Sequence, residues 1–362
     1  MESMSAPRSR AWVEVSLAAV VDNARTVART AGTRLLPIVK ANAYGLGAVP
    51  VSRALEAVDP WGYGVATVEE GAELRAAGIA RPVLVLLAAT PELFAEYRAA
   101  RLTPVFDSAA ALAAWLDGGG DAPFHLEIDT GMARGGVRWD DMAQVARLVD
   151  TPRFEGAFTQ FHSAECADGS VRRQLERYRA ALAALPRPPR LRHVANSAAA
   201  LSEPAAAFDL VRPGVFLYGG SPGGGIAAGR AVASIRARVV SVRRVHGGDT
   251  VSYNARWTAP HDTTIATLGI GYADGVQPAL GGSESRGTVL LGGARRPIVG
   301  TVTMDLIMVD AGDLPVRVGE IATLLGEADG QSLTLTEVSE ASGVQPRGLI
   351  TALGRRLPRL YE

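Results

Sequence analysis

The sequence predicts an α/β fold, a (β/α)8 TIM-like barrel followed by a mostly β C-terminal domain. Three observations carry this reading. Short apolar runs alternate with alanine-rich amphipathic stretches from residue 34 to about 217, which implies parallel βαβ units. The runs are 34–40, 62–67, 82–87, 102–106, 124–129, 155–162, 191–195 and 209–216, and eight such units in this length suit a small barrel. Beyond a glycine-rich break the texture changes to short β-branched segments separated by turn residues.

Each element has a local cause. Arg34–Lys40 opens the barrel with Leu35, Leu36, Ile38 and Val39 as its apolar content. The intervening stretches 49–58, 68–77 and 171–185 read as helices. Gly219 to Gly225 holds five glycines around Ser221 and Pro222, with no strand–loop–helix fingerprint about it, so it reads as a linker rather than a phosphate loop. The segments 234–245, 264–269, 287–291, 297–302, 306–309 and 321–325 read as strands, with one helix near 335–341. The expected divisions are a barrel over 12–218, a linker over 219–232 and the β domain over 233–362. A doubly wound open sheet is the alternative architecture for the first part.

Composition narrows the function. Acidic and basic residues balance at 37 each, so nothing favours nucleic acid or an anionic membrane surface. No apolar run reaches transmembrane length, and Met1–Arg10 lacks the apolar core of a signal peptide, so a cytoplasmic protein is expected. The single cysteine, Cys166, excludes an internal disulfide framework and is expected to be a small buried or neutral thiol rather than a nucleophile. Five scattered histidines show no metal-ligand spacing.

Of the 37 Lys+Arg residues, one alone is lysine, Lys40. A chain biased toward arginine can replace any lysine needed only for its charge. It cannot replace an amine that must become neutral and attack a carbonyl, because arginine does not deprotonate in proteins. Lys40 ends an apolar strand, where function gathers in a barrel. Other unusual residues share that face: Asp129-Thr130-Gly131-Met132 with Arg134, His162, His193, Asn196-Ser197 and Arg212-Pro213-Gly214-Val215. A desolvated lysine amine bonds covalently to aldehydes. The loops after strands seven and eight are a common phosphate site, here offering the Ser197 hydroxyl and the Gly214 and Val215 N–H groups. A phosphate-bearing aldehyde held by lysine describes pyridoxal 5′-phosphate.

With these residues in place, the chain resembles bacterial alanine racemase from about Trp12 to Tyr361. Val39-Lys40-Ala41-Asn42-Ala43-Tyr44-Gly45 looks like that family's cofactor-lysine signature. Asp129-Thr130-Gly131-Met132 with Arg134, Ala195-Asn196-Ser197, Arg212-Pro213-Gly214, Val251-Ser252-Tyr253, Gly271–Gly275 and Met304-Asp305 follow in the family's order. The resemblance implies racemisation of a small amino acid by two bases, Lys40 and Tyr253, on opposite faces of the substrate Cα. It implies cofactor contacts from Lys40, Tyr44, His162, Asn196, Ser197, Arg212, Gly214 and Val215. It places Arg134, Tyr272 and Met304 around the substrate, with His193 and Glu127 behind them. His162, His193 and Arg212 would form a positively charged chain that supports a Tyr253 phenolate, since tyrosine ordinarily titrates at about 10. Arg212 would face the pyridine nitrogen. In the family Tyr253, Tyr272 and Met304 come from the second subunit, so a homodimer with shared sites is implied. The N-terminal strand, 11–15, is expected to pack with the C-terminal domain.

The sequence departs from that pattern at several points. Glu127 stands where many members carry a carbamylated lysine, and supplies the same sign of charge. Arg355 falls near a C-terminal phosphate-contacting tyrosine. Leu46, Asn254 and Leu306 replace a common histidine, glycine and glutamine. The alternatives are a racemase of serine or of a broader set of amino acids, a barrel-type decarboxylase, and a non-catalytic cofactor-binding protein. A decarboxylase typically pairs an acid with the pyridine nitrogen, against which Arg212 argues. The carrier proteins resemble the barrel alone.

Overall fold

The structure is a computed structural model that describes residues 8–284 and 286–362. Its contacts divide the chain into two units, residues 20–230 and residues 8–19 with 231–362.

The first unit is the barrel. In chain order the strands are β1 (Ala11–Val15), which belongs to the other unit, then β2 (Arg34–Leu35), β3 (Tyr63–Val65), β4 (Val83–Ala88), β5 (Thr103–Phe106), β6 (Phe124–Asp129), β7 (Val137–Arg138), β8 (Phe154–Phe158), β9 (Leu191–His193) and β10 (Leu210–Val211). Parallel pairing runs β3-β4-β5-β6-β8-β9, and β10 pairs in parallel with β2. Two seams close the ring. Val39 N–H donates to Gly64 O and Gly64 N–H to Pro37 O, joining the first strand to β3. Asp209 N–H donates to Arg192 O and Arg212 N–H to Ala195 O, joining β9 to β10. β2 and β10 are formally short because prolines at 37 and 213 remove ladder donors.

The barrel interior is packed rather than open. Leu36, Trp61, Leu84, Val105, Phe158, Leu191 and Leu210 form one buried cluster drawn from strands around the ring. Each fully buried aliphatic or aromatic side chain contributes roughly 1.5–3 kcal/mol. Helices cover the outside where the apolar spacing predicts them, at Ala48–Leu55, Val68–Ala76 and Ser170–Ala183.

The second unit follows β11 (Ala233–Val245), β12 (Thr250–Val251), β13 (Trp257–Thr258), β14 (Thr263–Leu268), β15 (Thr288–Leu291), β16 (Ala294–Val299), β17 (Ile307–Gly312), β18 (Ile321–Ala328), β19 (Gln331–Leu333) and β20 (Arg359–Tyr361). The order β18-β15-β16-β17-β14-β11 returns to β18, so six of these strands form a closed antiparallel ring, which removes exposed edges. The long β11 also pairs antiparallel with β1, and β20 lies parallel to β1. This is why residues 11–15 group with the β unit although the sequence reading starts the barrel at residue 12. A helix at Leu335–Ser342 begins with a Thr334–Glu337 capping box and ends at left-handed Gly343. A second helix, Pro346–Thr351, has no counterpart in the sequence reading because Gln345-Pro346-Arg347-Gly348 looks like a turn.

The glycine-rich stretch is not free of the barrel. Buried Asn23 donates to Leu217 O and Arg230 O and accepts from Arg230 N–H, which ties the segment down as far as Arg230. Cys166 is exposed, which removes the buried branch of the buried-or-neutral thiol expected. It lies in the 163–166 turn after β8, with no strand or helix to bury it. No helix among the described residues is long and apolar enough to cross a membrane.

Candidate active site

Lys40 stands where the first barrel strand ends, and the backbone there is unusual. Ala41, Asn42, Ala43 and Tyr44 all lie at φ between 52° and 55°, one left-handed turn of four L-residues. Such a conformation costs roughly 1–2 kcal/mol per residue and persists only where surroundings over-determine it. Here Ala43 N–H donates to Val39 O (2.7 Å), Gly45 N–H to Ala41 O (2.8 Å) and Gly47 N–H to Asn42 O (2.8 Å). The Asn42 side chain accepts from Ala48 N–H (2.8 Å), and Glu70 accepts from Ala41 N–H (2.7 Å). Lys40 is half-buried, and burial holds its amine below the ordinary lysine range, helped by the charges of Arg134 and Arg212 and opposed by Glu70. The neutral, nucleophilic form is thereby favoured.

The turn also delivers Tyr44 to the end of the last strand. Its ring lies 4.7 Å from that of Tyr218, whose hydroxyl donates to Ile38 O (2.8 Å). A Cβ on Gly214 would sit 2.5 Å from the Tyr44 hydroxyl oxygen, so only glycine admits this approach. The buried Ser197 Oγ accepts from Gly214 N–H at 2.9 Å. Tyr44, Ser197, Gly214 and Val215 therefore meet in one place and line a cradle of hydroxyls and backbone amides suited to a phosphate. Asn196, a cofactor contact in the sequence reading, also caps a helix. Its side-chain oxygen accepts from Ala199 N–H (3.1 Å) and caps the helix Ser197–Ser202.

Arg212 is buried. Its Nη2 donates to Thr159 O (2.9 Å) and Gln160 Oε1 (3.1 Å), and its Nη1 to the carbonyl and the Nδ1 of His193. The guanidinium lies 5.1 Å from the Phe158 ring centre. Burial pushes it down to about 10, which leaves it charged at neutral pH. Behind it, His193 Nε2 is 2.7 Å from His125 Nδ1, and His125 Nε2 is 3.5 Å from a Glu155 carboxylate oxygen. Burial lowers both histidines, so this chain is neutral between Arg212 and Glu155.

His162 does not join it. The residue is exposed and its Nδ1 lies 2.7 Å from Ser163 Oγ. The chain leaves β8 with Gln160 turned toward Arg212, and His162 is already in the following loop. The histidine that extends the chain beyond His193 is His125, whose place was legible: alternation along Phe124-His125-Leu126-Glu127 puts His125 and Glu127 on one face. Gln160 and Glu70 carry no comparable sequence signal.

Arg134 follows a nest in which Asp129 Oδ1 accepts from the N–H groups of Gly131, Met132 and Ala133 (2.9–3.1 Å). Its guanidinium is exposed and has no hydrogen-bond or ion-pair partner among the described residues. Glu127 makes no such contact with it. Burial raises Glu127, while the charges of Arg134 and Arg212 lower it, so the two communicate through space. The donor set fits an anionic aldehyde: one amine of lowered basicity, two arginines, and a cradle that a Cβ would fill.

The second unit presents Tyr253, Tyr272 and Met304, which are 70%, 45% and 52% exposed. Tyr272 N–H donates to Thr303 O, Ala273 N–H to Met304 O, and Thr301 Oγ1 to Tyr253 O, so the three occupy neighbouring loops. Asp274, fully buried, anchors them through Arg10 (2.8 Å) and Arg356 (3.0 Å), and Arg356 also reaches Asp305 (2.8 Å). The tail arginine paired with Asp274 is thus Arg356, beside the exposed Arg355.

A closed parallel barrel with its lone lysine at the strand ends, followed by a β unit, defines a two-unit barrel enzyme architecture. Comparison with known proteins narrows this. The profile of the alanine racemase N-terminal domain matches residues 15–222, and that of the C-terminal domain matches 232–361. An alanine racemase of Symbiobacterium thermophilum is 39% identical over 97% of this chain and 96% of its own length. One from Thermobifida fusca is 35% identical over 98% of each. The crystal structure of alanine racemase from D-cycloserine-producing Streptomyces lavendulae superposes with a TM-score of 0.91 at 31% identity, covering 99% of this chain and 98% of that one. The alanine racemase of Bartonella henselae, solved with covalently bound pyridoxal phosphate, gives 0.89 at 29% identity, covering 98% and 100%. The chain belongs to the alanine racemase family.

Proposed function

We propose that this protein interconverts L-alanine and D-alanine with pyridoxal 5′-phosphate, as a homodimer in the cytoplasm, supplying D-alanine as a peptidoglycan precursor. The observation that carries the reading is the meeting of Lys40, Arg212 and the Tyr44–Ser197–Gly214–Val215 cradle at the strand ends of one barrel. Family membership across both units supports it.

In this reading Lys40 would bond the cofactor, the cradle would hold its phosphate, and Arg212 would face the ring nitrogen. Bound pyridoxal phosphate supplies an electron sink for negative charge at the substrate Cα. Arg212 limits that sink. A carboxylate would keep the ring nitrogen protonated, whereas a guanidinium can only donate, so charge stays nearer Cα and return of the proton there is favoured. Arg134 receives the substrate carboxylate, with Glu127 orienting it electrostatically. Lys40 removes or returns the Cα proton on one face. Tyr253 of the partner subunit does so on the other, and Tyr272 and Met304 of the partner subunit line the entrance. The exposure of these three side chains on one surface favours their use by a second copy of the chain.

The test is chiral chromatography of L-alanine and L-serine incubated separately with purified protein and pyridoxal phosphate. D-alanine should form much faster than D-serine. D-serine leading would redirect the reading to a serine or broad racemase, with Asn254 and Leu306 as the first suspects. Carbon dioxide release without either enantiomer would replace it with decarboxylation. Cofactor binding with no turnover would leave a carrier protein.

A further inference from the structure

Glu70 has a geometry that capping its own helix does not explain. It is the third residue of the helix Val68–Ala76, whose N-cap Thr67 accepts from Glu70 N–H. A glutamate at this position usually reaches back to the N-cap N–H. Here one carboxylate oxygen accepts from Ala66 N–H at 2.7 Å, the residue that follows β3. The other crosses to Ala41 N–H, also at 2.7 Å. Ala41 is the first residue of the left-handed turn, where an N–H has no partner within the turn itself. Both bonds are short and charge-assisted. The carboxylate thereby bolts the turn that carries Lys40 to the end of the neighbouring barrel strand.

We propose that Glu70 is the positioning residue for Lys40: its carboxylate, bridging the N–H groups of Ala41 and Ala66, holds the left-handed turn that aims the amine into the barrel mouth. The role rests on reading Lys40 as the cofactor-bearing amine. Its test does not depend on turnover, because the chain has one lysine that can be followed directly.

Full-length protein carrying ¹³C,¹⁵N-lysine and stripped of cofactor gives one lysine side-chain signal to titrate. The charged groups acting on it are Arg134, Arg212 and Glu70, of which Glu70 alone raises its basicity. In Glu70→Gln the titration midpoint should move to lower pH and the signal should broaden as the turn samples other conformations. Covalent binding of added pyridoxal phosphate, followed by its absorbance, should weaken at least about tenfold. Glu70→Asp keeps the charge but is one methylene short, so it should restore the midpoint and not the affinity; it carries the test should Glu70→Gln fail to fold. Thr67→Ala, which weakens the same helix cap, should leave both readouts as in the unsubstituted protein. An unchanged midpoint and affinity in Glu70→Gln would overturn the proposal, as would equal losses of affinity in Glu70→Gln and Thr67→Ala. Absence of racemisation with the lysine results as expected would count against the proposed function and leave the role of Glu70 standing.

Discussion

Nη1 of Arg212 lies 3.1 Å from Nδ1 of His193, and this contact sets the protonation of two buried imidazoles. A guanidinium only donates, so His193 Nδ1 must accept and its proton must sit on Nε2. That proton is then donated across 2.7 Å to His125 Nδ1, which leaves the His125 proton on Nε2, facing Glu155. The Arg212 guanidinium is thus backed by two neutral donors pointing away from it.

Long-range ¹H–¹⁵N spectra of histidine-labelled protein test this directly, since the chain has five histidines. At pH 7 to 8 His125 and His193 should both show the neutral Nε2–H pattern. A charged ring or an Nδ1–H tautomer at either position would contradict the chain as described.

The same pair predicts the acid side of the stability profile. Both histidines are lowered in the folded state, while in the unfolded chain they titrate at about 6.5. Below that pH the unfolded state binds more protons, so stability falls as pH falls. The slope approaches roughly 1.4 kcal/mol per pH unit per histidine. Glu127, raised by burial, works in the opposite direction over its own titration range and offsets part of the loss. Urea unfolding at pH 6.5, 6.0 and 5.5 should show declining stability, and a flat profile would mean that the imidazoles charge in place.

Gly214→Ala places a methyl 2.5 Å from the Tyr44 hydroxyl. Cofactor affinity should drop by about tenfold or more, on the order of 1.4 kcal/mol. Adding Tyr44→Phe removes the oxygen that the methyl meets, so the double variant should lose less than the two single losses combined. Absorbance titration with pyridoxal phosphate measures both. Strictly additive losses would mean that the cradle is not shaped by this contact.

Much of this was legible in the sequence, because barrel strands are long apolar runs and the lone lysine marks its own importance. The apolar run 124–129 matches β6 as observed, and the strand ends it belongs to mark where Lys40, Ser197 and Gly214 fall. What escaped depended on side-chain direction. Gln160 and His162 are two residues apart at the end of β8, and only the path of the backbone decides which one meets Arg212. Asn196 could serve a ligand or a helix, and its position one residue before the helix start commits its side-chain oxygen to the helix. The left-handed turn at 41–44 was hidden because alanine gives no signal for positive φ. The second bond of Glu70 is a contact between residues 29 apart in sequence, which no local pattern encodes.

The shared two-base site is tested most directly by mixing subunits. Lys40→Ala and Tyr253→Ala proteins, each inactive alone, are unfolded together, refolded with pyridoxal phosphate and assayed for D-alanine. Random pairing makes half the dimers mixed, each with one intact site of two, so the mixture should recover about a quarter of the original activity. An inactive mixture of folded, cofactor-loaded dimers, or substantial activity in Tyr253→Ala alone, would contradict the account.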